Sequence, residues 1–155
     1  MTNKERISEK ERIGRARFEN DFGKSLHIEF SGLKERYDAK ATGITKGDTF
    51  VVEIKVIGRP YTKYNKDGKD KGFLIDYDKL DAIEKVAIAE GRIPWVVVYF
   101  TDFAIVWNLF KINWREREEM EEVNKEGINY GKEKERSRVT YLYEGEGKRY
   151  DYIYN

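Results

Sequence analysis

An α/β fold, with a mixed central sheet flanked by helices, is predicted by three features of the sequence. Residues 3–24 and 76–90 place apolar side chains at helical spacing among charged ones. Residues 49–57 are rich in β-branched side chains, which strands favour. Residues 95–100 are apolar almost without interruption, which is typical of a strand covered on both faces. Together these segments predict helices packed against one central sheet.

The other elements follow in chain order. Alternation of apolar and polar residues predicts a first strand at 26–30, and a second strand is expected at 37–44. The polar segment 58–72 is interpreted as a loop, and Gly91 ends the second helix as a glycine C-cap would. A further strand at 103–109 follows a tight turn. The predicted order of the core is therefore helix, three strands, helix and two strands.

The composition changes near the end of the chain. Residues 115–136 are dominated by alternating charges and are expected to form a solvated helix. Residues 138–143 and 149–154 flank Glu-Gly-Glu-Gly and are expected to form a β-hairpin. We therefore expect one domain over residues 1–155, with its core at about 3–110 and an accessory tail at about 111–155.

The composition also limits the possible chemistry. The chain has no cysteine, which excludes disulfides and thiolate metal sites, and its single histidine, His27, is not expected to be catalytic. Any metal would need oxygen ligands, which favours magnesium, manganese or calcium. With 30 basic and 29 acidic residues there is no global positive field. No apolar run approaches the roughly 18 residues of a membrane span, so we expect a cytoplasmic protein with no membrane partner.

The strand at 49–57 carries the residues that suggest chemistry. Its even-numbered residues form an apolar face. Its other face carries Glu53 and Lys55 side by side between Val51 and Ile57. Charges in such a position are unfavourable unless they are paired or bound to a metal. An ion pair between these two side chains on a solvated face is the simpler interpretation.

A hairpin with the preceding strand brings a third residue to this face. Lys46 and Gly47 are the expected turn, because glycine supplies the positive φ of a tight hairpin. In that register Asp38 lies opposite Lys55 and diagonal to Glu53. Residues directly opposed in antiparallel strands share a face, so we expect the three side chains to project together.

At this point the sequence resembles the PD-(D/E)XK nuclease superfamily. The resemblance rests on Asp38 within Tyr-Asp-Ala-Lys and on the run Glu53, Ile54 and Lys55, within the same order of elements. It covers about two-thirds of the chain and leaves the tail outside. Tyr37 stands where the motif name has proline. The resemblance implies a restriction-endonuclease-like α-β-β-β-α-β core.

The resemblance also implies a role for each motif residue. Asp38 and Glu53, with the backbone carbonyl of Ile54, would hold Mg²⁺, for which Mn²⁺ could substitute. The metal would bind the scissile phosphate and activate a water molecule. Lys55 would orient or help deprotonate that water and offset the charge of the phosphate.

Further residues follow from the resemblance and from the polar loop. Many members of the superfamily have a first-helix glutamate beside the metal, and Glu19, ahead of Asp21, is the candidate here; Lys79 matches a position that often reaches toward the site. The loop follows the motif strand directly, so its basic side chains would bind phosphates beside the site. A solvated loop without this role would have the same composition. These cations are Arg59, Lys63, Lys66, Lys69 and Lys71.

The function expected from the sequence is hydrolysis of DNA phosphodiester bonds by a Mg²⁺-dependent endonuclease. The absence of a separate specificity domain favours structure-directed cleavage, as by Holliday-junction resolvases, or weakly sequence-specific cleavage. Small members of the superfamily are often homodimers, and we expect the same here. Two alternatives remain open: a catalytically inactive nucleic-acid-binding module on the same fold, and a protein-interaction domain.

Overall fold

The computed structural model describes residues 3–32, 35–124 and 134–152. This part of the chain contains helices α1 (Asn3–Phe22) and α2 (Tyr77–Glu90). Its strands are β1 (Leu26–Phe30), β2 (Ala39–Gly43), β3 (Thr49–Val56), β4 (Asn65–Lys66), β5 (Lys69–Asp70), β6 (Phe73–Asp76), β7 (Ile93–Tyr99), β8 (Phe103–Asn108), β9 (Glu119–Asn124), β10 (Lys134–Leu142) and β11 (Lys148–Asp151). Short 3-10 helices lie at Tyr61–Tyr64, Leu109–Lys111, Trp114–Arg117 and Glu144–Glu146.

Six of these strands form the mixed central sheet that the sequence predicts. Their order is β1-β2-β3-β7-β8-β11, and only the pairing of β3 with β7 is parallel. Val96, Val97 and Val98 in β7 are each 0% exposed, so this strand is buried on both faces as expected. The prediction of an α/β fold with a mixed central sheet is confirmed at this level.

The central sheet is covered on both faces. On one face, Phe18 of α1 packs with Phe50, Val52 and Ile54 of β3. On the other face, Val51 of β3 contacts α2, and a three-stranded sheet in the order β6-β10-β9 lies beside α2. The alternation of side chains along β3 therefore places its two faces in separate cores, as period two requires. No helix in the described residues is long and apolar enough to cross a membrane.

The second helix has the ends that its sequence predicts. The side chain of Asp76 accepts a hydrogen bond from the backbone N–H of Asp78 at 3.0 Å and so caps the first turn. Gly91 ends the helix in the left-handed conformation, with φ of 67°. The helix lies within the predicted range 76–90, and its N-cap fixes the start of the surface that faces β3.

The turn between β2 and β3 differs from the predicted one. The N–H of Gly43 donates to the carbonyl of Asp48, so the loop holds four residues, not two, and Gly47 supplies the positive φ of 71° within it. Ala39 consequently lies opposite Val52, and Asp38 lies level with Glu53 rather than with Lys55. A shift of two residues preserves the face of every side chain, so the expected convergence survives the wrong register.

The segment 58–72, interpreted as a loop, has structure of its own. After a 3-10 helix, β4 and β5 pair around Asp67 and Gly68, whose φ values of 54° and 72° suit a tight two-residue turn. Tyr61, which is 0% exposed, donates its hydroxyl to Asp70 at 2.8 Å. The small hairpin is thus held at its base by a buried tyrosine.

The tail does not form the predicted helix and hairpin. Residues 115–136 contain a 3-10 turn and the strand β9, while residues 125–133 lie outside the described part of the chain. Strand β10 pairs with β6 and β9, and β11 pairs with β8 at the edge of the central sheet. The prediction of a charged helix failed because alternating charges are compatible both with a solvated helix and with an edge strand such as β9. The hairpin was predicted because local sequence favours neighbouring partners over distant ones.

Candidate active site

A cavity of about 440 Å³ opens at the C-terminal end of β3. Its walls come from the middle of α1, the segment before β2, residues 53–57 and Lys79 of α2. The two acids predicted from the sequence, Asp38 and Glu53, both line it, as do Ile54 and Lys55. Five of the predicted site residues thus line one cavity: Asp38, Glu53, Ile54, Lys55 and Lys79.

Asp38 is held by the backbone of β3. Its own N–H donates to the carbonyl of Val52 at 2.9 Å, and its Oδ2 accepts the N–H of Ile54 at 2.8 Å. The N–H and the carbonyl of one strand residue point to the same side. The Ile54 carbonyl therefore points to the edge where Asp38 lies. Strand β2 begins at Ala39, opposite Val52, so its ladder does not reach Ile54. This places a carbonyl oxygen beside the carboxylate.

Glu53 is a buried carboxyl group next to a second carboxyl group. It is only 4% exposed. Burial, followed by the hydrogen bond and the charge of Asp38, raises the pKa of Glu53 from 4.5 to about 8. The charges of Lys55 and Lys79 oppose this rise but do not cancel it. Two neighbouring acids do not both ionise easily, so this pair favours a bound proton or a nearby positive charge.

Two lysines lie beside Glu53 in different ways. The Nζ atom of Lys79 is 3.1 Å from Glu53 Oε2, yet the alignment is not that of a hydrogen bond, because Oε2 is buried with no hydrogen-bond partner among the described residues. Lys55 is partly buried in the same cavity and forms no ion pair within the described chain. The amine of Lys55 is therefore available for a ligand that enters the cavity.

Arg15 is a site residue that the sequence did not reveal. Its guanidinium donates to the carbonyl of Ser31 at 3.1 Å and to the Ser31 hydroxyl at 3.3 Å. Its Nη2 also lies 3.6 Å from Asp38 Oδ1. The Ser31 hydroxyl in turn donates to the carbonyl of Tyr37. These contacts tie α1 to both ends of the segment that carries Asp38.

The structure does not bring Glu19 to the cavity. Glu19 and Asp21 are exposed in the last turn of α1. This turn also holds Phe22, which contacts Trp95 at the opposite end of the sheet. The α1 glutamate that lines the cavity is Glu11. Eight residues of helix separate these positions by about 12 Å. Glu19 was expected at the site because helical spacing alone does not define which part of α1 lies beside the end of β3.

The basic residues after β3 lie elsewhere on the surface. Arg59, Lys66, Lys69 and Lys71 are exposed and do not line the cavity. Lys66 and Lys69 face each other in the small hairpin. The side chain of Lys63 lies outside the described residues. A phosphate-binding role for this segment stays a prediction.

The cavity fits a hard cation only in part. Among the described residues there is no group of three or more histidine, cysteine, aspartate or glutamate side chains placed to hold a metal. The available ligands are the two carboxyl groups and the Ile54 carbonyl, and Glu53 Oε2 has an ion-pair contact with Lys79 but no hydrogen-bond partner among the described residues. Mg²⁺ commonly uses one or two carboxylates and completes its shell with water and substrate phosphate. The donor set meets that smaller requirement.

Comparisons with known protein families, with curated proteins and with solved structures found no match for this chain.

Proposed function

We propose that the protein is a Mg²⁺-dependent endonuclease that hydrolyses DNA phosphodiester bonds, on a restriction-endonuclease-like core. The observation that carries this proposal is that Asp38 and Glu53 line one open cavity together with Lys55, which forms no ion pair among the described residues. Burying two acids together is unfavourable, and a protein that needed only stability would gain by replacing one of them. A cation resolves the conflict, and phosphate is the common partner of such a cation.

The order of elements supports the same proposal. Helix α1, strands β1 to β3, helix α2 and strand β7 follow one another as the resemblance implies, with β4, β5 and β6 inserted before α2. When bound, Mg²⁺ would polarise the phosphate and lower the pKa of a coordinated water. Asp38, Glu53 and the Ile54 carbonyl would hold it.

The remaining work falls to the protein's own side chains. In hydrolysis the water oxygen forms a bond to phosphorus, the ester bond to the leaving sugar oxygen breaks, and one proton passes from the water to the leaving group or solvent. Lys55, with its amine in the cavity, would orient the water and offset the charge that accumulates on the phosphate. The hydrogen bond from the Ile54 N–H fixes Asp38 so that it need not reorganise during the reaction.

A nicking assay tests this proposal. Wild-type protein should convert supercoiled plasmid to nicked or linear DNA with Mg²⁺, and chelation should abolish the reaction. Lys55→Ala should reduce the rate at least about a hundredfold while leaving the melting temperature nearly unchanged, because the amine forms no ion pair among the described residues. Lys111→Ala, an exposed lysine outside the cavity, is the matched control and should cut normally.

Other results would select an alternative function. Cutting by Lys55→Ala at the wild-type rate would contradict the proposed site. DNA binding without cleavage would indicate an inactive binding module, and the absence of any Mn²⁺ affinity would favour a protein-interaction domain. Comparison of linear, supercoiled and four-way-junction DNA tests the further proposals of structure-directed cleavage and of a homodimer with two sites.

A further inference from the structure

The carboxyl pair in the cavity has a protein cation on each side. Arg15 Nη2 lies 3.6 Å from Asp38 Oδ1, and Lys79 Nζ lies 3.1 Å from Glu53 Oε2. The charge of Lys55 also acts on Glu53. The two oxygens that an incoming metal ion would use are therefore already opposite positive charges.

Arg15 and Lys79, the two cations beside the carboxyl groups, differ in how firmly the structure holds them. Arg15 is anchored by its two hydrogen bonds to Ser31, and its Nε is buried without a partner among the described residues. These bonds hold its guanidinium at the cavity wall. Lys79 has Glu53 as its only ion-pair partner within the described chain, is one-third exposed and has a flexible four-carbon stem. Its ammonium group can move into the cavity.

These positions oppose the binding of a divalent cation alone. Charges a few ångströms apart in a partly buried site interact far more strongly than they do in water. An incoming cation must displace Arg15 and Lys79 from the carboxylates or share the cavity with them. A phosphate group that enters at the same time offers both side chains a new anionic partner, and arginine and lysine both bind phosphate well.

We propose that Arg15 and Lys79 are internal counter-ions of the Asp38–Glu53 pair, which pass to the substrate phosphate when a divalent cation takes their place. This inference rests on the proposed nuclease function and deepens it. The cation and the DNA phosphate bind cooperatively, because each supplies the partner that the other displaces. Cooperative coupling is reciprocal and commonly amounts to about 5- to 150-fold.

Cation binding in the absence of DNA gives the decisive test. Mn²⁺ affinity is measured by calorimetry at several pH values for wild type, Arg15→Met and Lys79→Met, and each affinity is corrected for the proton that Glu53 releases. The correction is needed because the charge of Lys79 lowers the pKa of Glu53, so its removal favours a competing proton. Each variant removes a positive charge, so each should bind Mn²⁺ at least about fivefold more tightly than wild type. Arg12→Met and Lys85→Met remove exposed charges from the same two helices, at residues that do not line the cavity, and should leave the affinity unchanged.

The same proteins are then compared with plasmid present. For wild type, the Mn²⁺ concentration that gives half-maximal nicking should lie well below the dissociation constant measured without DNA. In Arg15→Met and Lys79→Met this ratio should approach one, and the maximal nicking rate should fall. A purely structural role would instead weaken cation binding and nicking together, so tighter binding with slower nicking separates the two.

Two results would overturn the inference. Unchanged or weaker Mn²⁺ binding by folded Arg15→Met and Lys79→Met, with wild-type nicking intact, would refute the counter-ion role but leave the nuclease proposal standing. If Arg15→Met does not fold, Lys79→Met alone decides between these outcomes. A wild-type protein that neither binds Mn²⁺ nor nicks DNA would instead refute the proposed function and, with it, this inference.

Discussion

Glu53 links the chemistry of the cavity to the stability of the fold. Its pKa is about 8 in the folded chain against an ordinary value of 4.5, first because it is buried and then because Asp38 is in contact with it. Between these pH values the folded protein keeps a proton that the unfolded chain releases. The stabilisation is complete below about pH 4.5 and is lost as the pH rises through about 8.

Glu53→Gln should therefore change how stability depends on pH. The neutral amide cannot ionise, so in the presence of chelator the melting temperature of the variant should rise relative to wild type as the pH is raised from 5 to 8.5. Thermal melts at several pH values provide the measurement. A difference between the two proteins that stays constant with pH would mean that Glu53 titrates normally, and the proposed carboxyl pair would lose its main support.

The residues of the cavity were predictable where one strand carries them. Glu53 and Lys55 follow from alternation within β3, and their common face is independent of every distant contact. Arg15 and Glu11 could not be found in this way. Their place in the cavity depends on how α1 lies along the sheet, which is fixed by packing: a Cβ on Gly14 would come within 3.0 Å of Ile54 Cγ2. Nothing local in the helix sequence encodes that approach.

At the scale of elements, Gly147 lies where the chain passes from the three-stranded sheet, through β10, to the central sheet, through β11. A Cβ at this position would lie 2.5 Å from Ile105 Cγ2 and 2.9 Å from Trp107 Cδ1. Ile105 and Trp107 are both 0% exposed, so neither side chain has room to move away. The close approach lets β11 reach the edge of β8.

Gly147→Ala should consequently destabilise the protein by about 1–3 kcal/mol, the usual range for an overpacked core. The backbone at Gly147 has φ of −116°, which alanine adopts freely, so the loss would come from the clash alone. Gly145→Ala is the matched control, because a Cβ there meets nothing within 4 Å. Urea unfolding of both variants gives the comparison. Equal stability of the two would show that β8 and the tail are packed more loosely than this geometry requires.

Local sequence determined some elements and not others. Helix α2 was predictable because Asp76 and Gly91 cap it within its own segment. The predicted pairing of β2 with β3 was shifted by two residues, because glycine at positive φ fits a four-residue loop as well as a two-residue one. Strands β10 and β11 each pair with a partner far away in sequence. The sequence at 138–143 and 149–154 indicated strands but not which edges they would meet.

At the scale of the whole molecule, the tail is joined to both sheets. Strand β10 lies between β6 and β9, and β11 forms one edge of the central sheet. Arg117 and Glu146 form a two-point ion pair, and the N–H of Glu144 bonds both Tyr61 and Asp70. The segment after residue 111 therefore contributes to the fold that positions the cavity, although none of residues 134–152 lines it.

Removal of residues 144–155 should accordingly lower the free energy of unfolding by more than about 3 kcal/mol, as much as an unusually severe single substitution. The truncated chain would lose β11 and expose the edge of β8, so it should also associate as its concentration rises. Urea unfolding and light scattering measure the two effects. Removal of residues 153–155 alone keeps every contact among the described residues and serves as the control.

Nicking by the chain that lacks residues 144–155 should fall only as its folded fraction falls, because the cavity residues remain. Lys55→Ala should instead lose nicking at full stability. A truncated chain with wild-type stability would mean that residues 144–155 are not needed for the fold that positions the cavity.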